Sequence, residues 1–458
     1  MRITFNDAQS RDLGRELRAN IKKFNCIDGE ISIDHNVIQQ LEKRFEGLSP
    51  KDQAIHFADV KWKMFGVHAS QVQANVSKLA PITNFDKAPV LLGTKEGVDF
   101  IIEIHSNKHE LFVQALNIDK GGVSSNIAEA LRLLDLPSNL ISIHGNGPIA
   151  LLQENLLMSA GIDTSKLFRV NARDSYIHPC YLFSYENSET KKIEKEEYWI
   201  VQTRQPFDKE TIDRLTEKIK EACKLNPKEA LVLPSMQPAG ASEGYFAKVV
   251  DIATESENPV LLNPKQYDDA RGMFKQLFTH GKINFLKPNI NEFVKFLRYV
   301  EPGIIYDSDE NERQKEKELT ERIGKQDFKE VIDFASQLIH QSNPDLNLII
   351  SFGKYGAIAI SRKGMVYINA PSIESISSNG CSSGAGDSGL ASVVAKIREA
   401  NIDLRSALNE ADLEKINEAF IYAASATASL PGNQIADKKR IGDLRNAFKL
   451  NPIVQKLS

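Results

Sequence analysis

The chain reads as an α/β protein with a mainly parallel central sheet, a small β element and a helical N-terminal extension. Three observations predict this. From about residue 86 onward, short apolar runs alternate with amphipathic stretches; each run ends in glycine or a polar residue; and residues 1–85 carry helical spacing with no strand signal. Strands covered by helices on both faces lose the in–out alternation and appear as continuous apolar runs joined by helical crossovers. At 458 residues the chain exceeds the usual single-domain length, so a large domain over 86–458 with an extension over 1–85 is expected.

The extension is predicted to hold three helices, in "DLGRELRANIKKF", "HNVIQQLEKRFEGL" and "DQAIHFADVKWKMFGVHASQVQANVSKL", whose apolar residues fall three and four apart. The strands follow as "PVLLG", "NLISIHG", "EALVLPS", "PVLLNP", "KINFLKPN" and "LNLIISFG". In an open parallel sheet the ligand crevice lies beyond the strands' carboxyl ends. Gly93, Ser235, Asn263, Asn289 and Ser351 are therefore either the border of one site or ordinary turn formers. Two alternating segments predict hairpins at about 99–117 and 179–203, turning near Asn107 and Glu189, which together make a small β lid. The charge run over 307–330 predicts a solvated helix or insertion.

Composition narrows the partners. Lys and Arg total 57 against 61 Asp and Glu, well mixed, for a formal charge of −4. Neither a nucleic acid nor an anionic membrane is an expected partner. The apolar runs are too short to span a bilayer, and "MRITFNDAQSRDLGREL" lacks the apolar centre of a secretion signal, so the cytoplasm is the expected location. Cys26, Cys180, Cys223 and Cys381 are scattered without CxxC pairing and are expected as reduced thiols. A P-loop run GxxxxGK[ST] is missing, and no GxGxxG stands between a strand and a helix, which argues against P-loop and dinucleotide chemistry.

The chemistry concentrates in "SSNGCSSGAGDSGLASVVAKI", residues 377–397. Leu390, Val393, Val394 and Ile397 have helical spacing, so a helix is predicted to begin close to Asp387 and end near Asn401. Gly384, Ala385 and Gly386 then stand at its N-terminus, where unpaired amides and the positive end of the helix dipole form an anion hole that a missing Cβ leaves open. A carboxylate beside bound phosphate has a purpose if it takes the proton of a hydroxyl attacking that phosphate. On these residues alone, Asp387 is either that general base or a helix cap.

"GAGDSGLASVVAKI" resembles the C-terminal signature of the ribokinase/PfkB family of carbohydrate and nucleoside kinases. "KGGVSSNIAEALRLLD" (120–135) is similar to the family's N-terminal glycine pair, "LKPNINEF" (286–293) to its Asn-x-x-Glu element, and "ISFGKYGAIAI" (350–360) to its strand–turn before the nucleotide loop; the match spans about 88–435. The resemblance implies a ribokinase-like three-layer sandwich and an ATP-dependent kinase requiring Mg²⁺, with room for a monovalent cation. It implies Asp387 as catalytic base with Gly384, Ala385 and Gly386 forming the anion hole. Asp99, Gly121, Gly122 and Asn126 would hold the acceptor, Ser351, Gly353, Lys354 and Gly356 the nucleotide, and Asn289 with Glu292 the metal. Read on their own, Asn289 and Glu292 also fit the N-cap and N3 of a helix, and Lys354 an exposed turn. The small-residue segment 416–434 resembles the helix beside the adenine, or serves close helix packing. A homodimer through the lid is the implied assembly.

Two departures bear on the acceptor. Val123 follows Gly122 where many sugar-phosphate members carry lysine, which brings the segment nearer to pseudouridine-kinase-like members; "LVLPSMQPAGASEGYFAKVV" (231–250) resembles the phosphofructokinase branch instead. A nucleoside acceptor is the first expectation and a sugar phosphate the alternative. A non-catalytic binding or regulatory protein on the same fold is the rival from another class.

Overall fold

The computed structural model describes residues 72–74, 87–94, 97–106, 111–170, 176–186, 193–199, 206–234, 237–242, 244–264, 281–300, 309–372, 380–431 and 434–457. In chain order the strands are β1 (Val72–Ala74), β2 (Val90–Gly93), β3 (Gly97–Ser106), β4 (Leu111–Gly121), β5 (Asn139–His144), β6 (Phe168–Arg169), β7 (Tyr176–Glu186), β8 (Ile193–Trp199), β9 (Leu231–Pro234), β10 (Val260–Asn263), β11 (Phe285–Leu286), β12 (Asn347–Ser351), β13 (Ala357–Ser361), β14 (Gly364–Ile368) and β15 (Ile453–Lys456). The helices are α1 (Val123–Leu133), α2 (Pro148–Ser159), α3 (Lys209–Leu225), α4 (Tyr245–Glu255), α5 (Ile290–Val300), α6 (Asp309–Gly324), α7 (Lys329–Ser342), α8 (Ala385–Glu399), α9 (Glu410–Ala428) and α10 (Lys438–Ala447).

Ten strands form the central sheet in the order β15-β14-β13-β12-β11-β10-β9-β2-β5-β6. It is parallel from β6 to β12 and antiparallel from β12 to β15. The predicted apolar runs are its buried strands. Val90, Leu92, Leu231, Leu233, Val260, Leu262, Leu348 and Ile350 turn to one face, where α3, α4, α5 and α7 supply Leu215, Val249, Phe293 and Ala335. Leu91, Val232, Leu261 and Ile349 turn to the other, against Ile127 and Leu131 of α1, Val393 of α8 and Phe420 of α9. Both faces are covered, so alternation in and out vanishes from the sequence. The charge run forms α6, as expected of a helix, with Leu319 and Ile323 as its buried stripe.

A second sheet has the order β1-β4-β3-β7-β8. Its two antiparallel pairs, β3–β4 and β7–β8, are the predicted hairpins, joined by parallel pairing of β3 with β7. The expected turns near Asn107 and Glu189 lie outside the described residues, as do the first two predicted N-terminal helices. Of the third, only residues 72–74 are described, and there the expectation is corrected: Val72–Ala74 is a strand pairing parallel with Leu116–Ile118 of β4. An open sheet edge offers a row of unpaired backbone groups, and that tertiary partner overrides weak local helix preference. Among the described residues, no helix is long and apolar enough to cross a membrane.

The carboxyl end of β5 carries His144, 2% exposed, whose Nε2 has no hydrogen-bond partner among the described residues. Burial, and then the Arg169 charge, lower its pKa from 6.5 to about 4. The folded state refuses a proton that the unfolded chain accepts, so stability is full above pH 6.5 and falls as the pH drops toward 4. In urea unfolding, the protein is expected to lose about 2 kcal/mol more than His144→Leu between pH 7 and pH 5, at about 1.4 kcal/mol per unit below the unfolded pKa. Equal losses would mean that His144 does not titrate with unfolding.

Candidate active site

Helix α8 enters at Gly384, whose φ of 73° is the left-handed conformation that glycine adopts without a Cβ penalty. Among the described residues, no side chain caps this end. The Ala385 N–H donates to the Ser382 carbonyl (3.2 Å) and the Ser388 N–H to the Gly384 carbonyl (2.9 Å). The N–H groups between them, on Gly386 and Asp387, are those the helix end presents to an anion. Of the three residues expected to supply the hole, Gly386 keeps its amide for that role, Gly384 sets the turn, and Ala385 spends its amide on the turn.

Asp387 sits in this first turn and is 8% exposed. Asn126 Nδ2, from α1, donates to its Oδ2 at 3.0 Å, and Asn263 Nδ2, from the end of β10, donates to its Oδ1 at 3.2 Å. Among the described residues, Asn126 Oδ1 is buried without a hydrogen-bond partner. A buried acceptor left open beside a buried carboxylate is the group an incoming hydroxyl would satisfy.

A cation completes the arrangement. Lys287, 6% exposed and just past β11, donates through Nζ to Asn263 Oδ1 at 3.4 Å and lies 6.0 Å from the centre of the Phe420 ring. Among the described residues, no carboxylate lies within ion-pair distance of it. Its ammonium occupies the space that a side chain on Gly386 would need, since a Cβ there would lie 2.6 Å from Nζ. Gly389, one turn on, makes the same kind of room for Phe420, whose Cε2 would stand 2.5 Å from an added Cβ.

Asn289 and Glu292 form a reciprocal capping box at the start of α5. The Glu292 N–H donates to Asn289 Oδ1 and the Asn289 N–H to Glu292 Oε2, both at 2.8 Å. Asn289 also bridges to Ser351, which draws the ends of β11 and β12 together. Among the described residues, no cluster of three His, Cys, Asp or Glu side chains is placed to enclose a metal. Two oxygen-bearing side chains, each already spending an oxygen on the cap, suit an ion that keeps its waters and takes few protein ligands, as Mg²⁺ does. Gly353 opens a 3₁₀ turn, and Lys354 stands exposed on it with Nζ 5.3 Å from the centre of the Tyr355 ring. Gly356 is demanded by packing: its φ is 97°, and an added Cβ would lie 1.9 Å from the Ile368 carbonyl.

Asp99, 4% exposed, is paired in register with Asp119 across β3 and β4, two positions from the pairing of Gly97 with Gly121. Gly122 then starts α1 at φ 105°, without a side-chain cap. The ladder therefore sets Asp99 two positions from Gly121, and the first turn of α1 joins Gly122 to Asn126, whose N–H donates to the Gly122 carbonyl at 3.0 Å. Ser235 lies outside the described residues.

Residues 93–439 match the model of the pfkB family of carbohydrate kinases. The chain belongs to that family. Comparison with curated protein sequences finds no match. Among solved structures the fold is similar to phosphofructokinase-2 from Escherichia coli in complex with potassium, with TM-score 0.55, 16% identity, 79% of this chain and 98% of the other covered. The tetrameric inhibited form of the same enzyme gives 0.53, 15%, 79% and 98%. A Thermotoga maritima protein described as a possible 1-phosphofructokinase gives 0.55, 14%, 81% and 100%. These likenesses establish a ribokinase-like fold. As a pfkB-family carbohydrate kinase, the protein is a phosphotransferase with an alcohol group as acceptor.

Several residues of the candidate site escape a reading of motifs. Lys287 is hidden inside "NFLKPN", although a lysine closing a buried strand was a usable signal. Asn263 is legible only as one of several strand ends. Lys120, 1% exposed, pairs with Asp119 at 3.3 Å and with Glu129, a buried cluster joining β4 to α1. Burial opposes the charge on Lys120, but Asp119 and Glu129 together outweigh it and hold its pKa above the usual lysine value. In Gly386→Ala the flexible lysine end is displaced rather than the backbone, so the thermal midpoint should stay within a few degrees. Turnover, followed as ADP release, should fall about tenfold or more, as for a removed charge-stabilising donor. Wild-type turnover would mean that Lys287 need not stand where it does.

Proposed function

We propose that this chain transfers the γ-phosphoryl group of ATP to a hydroxyl of a sugar-type acceptor. The carrying observation is the buried carboxylate of Asp387, held by amides from α1 and β10 in the first turn of an open helix end. Asp387 takes the proton of the attacking hydroxyl. The acceptor is oriented by Asn126 Oδ1 and by Asp99, and the charge of the transferring group is met by the Gly386 and Asp387 amides and the Lys287 ammonium. Asn289 and Glu292 would hold Mg²⁺, which would supply positive charge against the phosphates. Ser351, Gly353 and Gly356 shape the nucleotide side; Lys354 would have to leave Tyr355 to reach it. A monovalent cation is a further component of this reading, potassium being named in one neighbour.

For the acceptor, the family and its phosphofructokinase neighbours support a sugar phosphate over the nucleoside expected first. The nucleoside stays as a second reading on one observation: Val123, buried at 8% exposure beside Gly122, offers no cation for a phosphorylated acceptor. A purely scaffolding role has no use for a hydrogen-bonded carboxylate at an anion hole. The five-stranded sheet is read as a lid that excludes water, and as the contact of a homodimer; the E. coli neighbour has a tetrameric form.

Asp387→Asn keeps the side chain's size and removes its basicity. Turnover should fall by about 10²–10⁴-fold, with ATP affinity by titration calorimetry within about threefold, because a base acts on the acceptor's proton. Undiminished turnover would take Asp387 out of the proton transfer. ADP release with fructose 6-phosphate, free hexoses and pseudouridine ranks the acceptors, and no consumption with any of them would count against the kinase reading of the site.

A further inference from the structure

Asn263 is 2% exposed and engages two groups of opposite demand. An ionised carboxylate only accepts hydrogen bonds and an ammonium only donates them. The amide therefore has one admissible orientation, with Nδ2 toward Asp387 Oδ1 at 3.2 Å and Oδ1 toward Lys287 Nζ at 3.4 Å. The backbone reinforces this arrangement, because the Lys287 N–H donates to the carbonyl of Leu262, the residue before Asn263, at 3.0 Å.

The two amides on Asp387 are thus unequal. Among the described residues, Asn126 Oδ1 has no partner, so this amide can trade partners when a hydroxyl arrives. Asn263 is held at both ends. We infer that Asn263 is a positioning residue, the fixed link that sets the base carboxylate of Asp387 and the ammonium of Lys287 at one mutual distance and orientation. It touches neither acceptor nor nucleotide; it acts through the groups that do. The inference rests on the reading of Asp387 as base and adds the residue that aims it.

An aiming role predicts loss in the chemical step with substrate binding spared. In Asn263→Ala, kcat should fall about 10- to 100-fold, the penalty of a misplaced catalytic group, while KM for ATP and for the best acceptor stays within about threefold. Asn263→Asp has the same size and can still accept from Lys287, but sets two carboxylates in contact. Like charges that close cannot both ionise freely, so the acid limb of its kcat–pH profile should move to higher pH relative to wild type. Nucleotide titration calorimetry verifies that each variant is folded; should the alanine variant fail to fold, the isosteric one decides. Unchanged kcat in both variants, KM values rising in step with the loss of kcat, or an unshifted acid limb in Asn263→Asp would each overturn the inference. If Asp387→Asn is inactive while the Asn263 variants behave as wild type, this inference alone fails. If Asp387→Asn is fully active, the reading of the base fails first.

Discussion

A carboxylate buried at the end of a sheet has to be hydrogen-bonded or it becomes a defect, and the rest of this site follows from how Asp387 meets that demand. An unpaired buried charge costs several kcal/mol. Here two side-chain amides donate to it, one to each oxygen, and they come from residues 261 and 124 positions away in the chain. Neither bond exists unless α1, β10 and α8 are docked in the observed arrangement. The site is therefore a product of the whole sheet rather than of the glycine turn that advertises it. A carboxylate oxygen has more than one lone pair, so both oxygens keep capacity for a further donor after the amides are counted.

The glycines of the turn do three different jobs. Gly384 supplies the left-handed entry, Gly386 yields its side-chain space to the Lys287 ammonium, and Gly389 yields its own to Phe420. That ring is in turn held by α9, which Asn417 fastens to the sheet: its Nδ2 donates to the carbonyls of Ala357 at 3.1 Å and Val366 at 2.9 Å, with no solvent exposure. A chain of contacts thus runs from two strand carbonyls through a helix and an aromatic face to the Lys287 ammonium beside the helix end. The small residues of α9 have a packing reason as well, since they let α9 approach α8 closely enough for Ser388 Oγ to donate to the Ala423 carbonyl at 3.5 Å.

This pattern explains what was legible in the sequence. Strands buried on both faces announce themselves as apolar runs, and a glycine-rich helix entry is local, so the central sheet, the hairpins and Asp387 could be found from short segments. What stayed hidden depends on long-range pairing. Lys287 is an unremarkable lysine until the fold lays it against Gly386, and Asn263 is one polar strand end among several until Asp387 arrives beside it. Val72–Ala74 is hidden for the same reason: its strand exists through the edge of β4, not through its own residues. Asn289 and Glu292 make the opposite point, because the two readings left open for them are compatible: the capping box accounts for one oxygen of each side chain and still leaves a polar helix end facing the strand termini.

The buried cluster at the start of α1 ties the two sheets into one machine. Lys120 closes the last turn of strand before Gly121 and Gly122, and it pairs with Asp119 beside it and with Glu129, a turn beyond Asn126 on α1. All three side chains are nearly excluded from solvent. The cluster sets one ammonium against two carboxylates, so removing Lys120 would leave buried carboxylates uncompensated, at a cost of about 3–5 kcal/mol. The Lys120–Glu129 pair therefore ties the end of β4 to α1, and the ladder sets Asp99 beside Asp119 at that junction. If Asp99 and Asn126 hold the acceptor as proposed, buried charge preorganises that wall before anything binds.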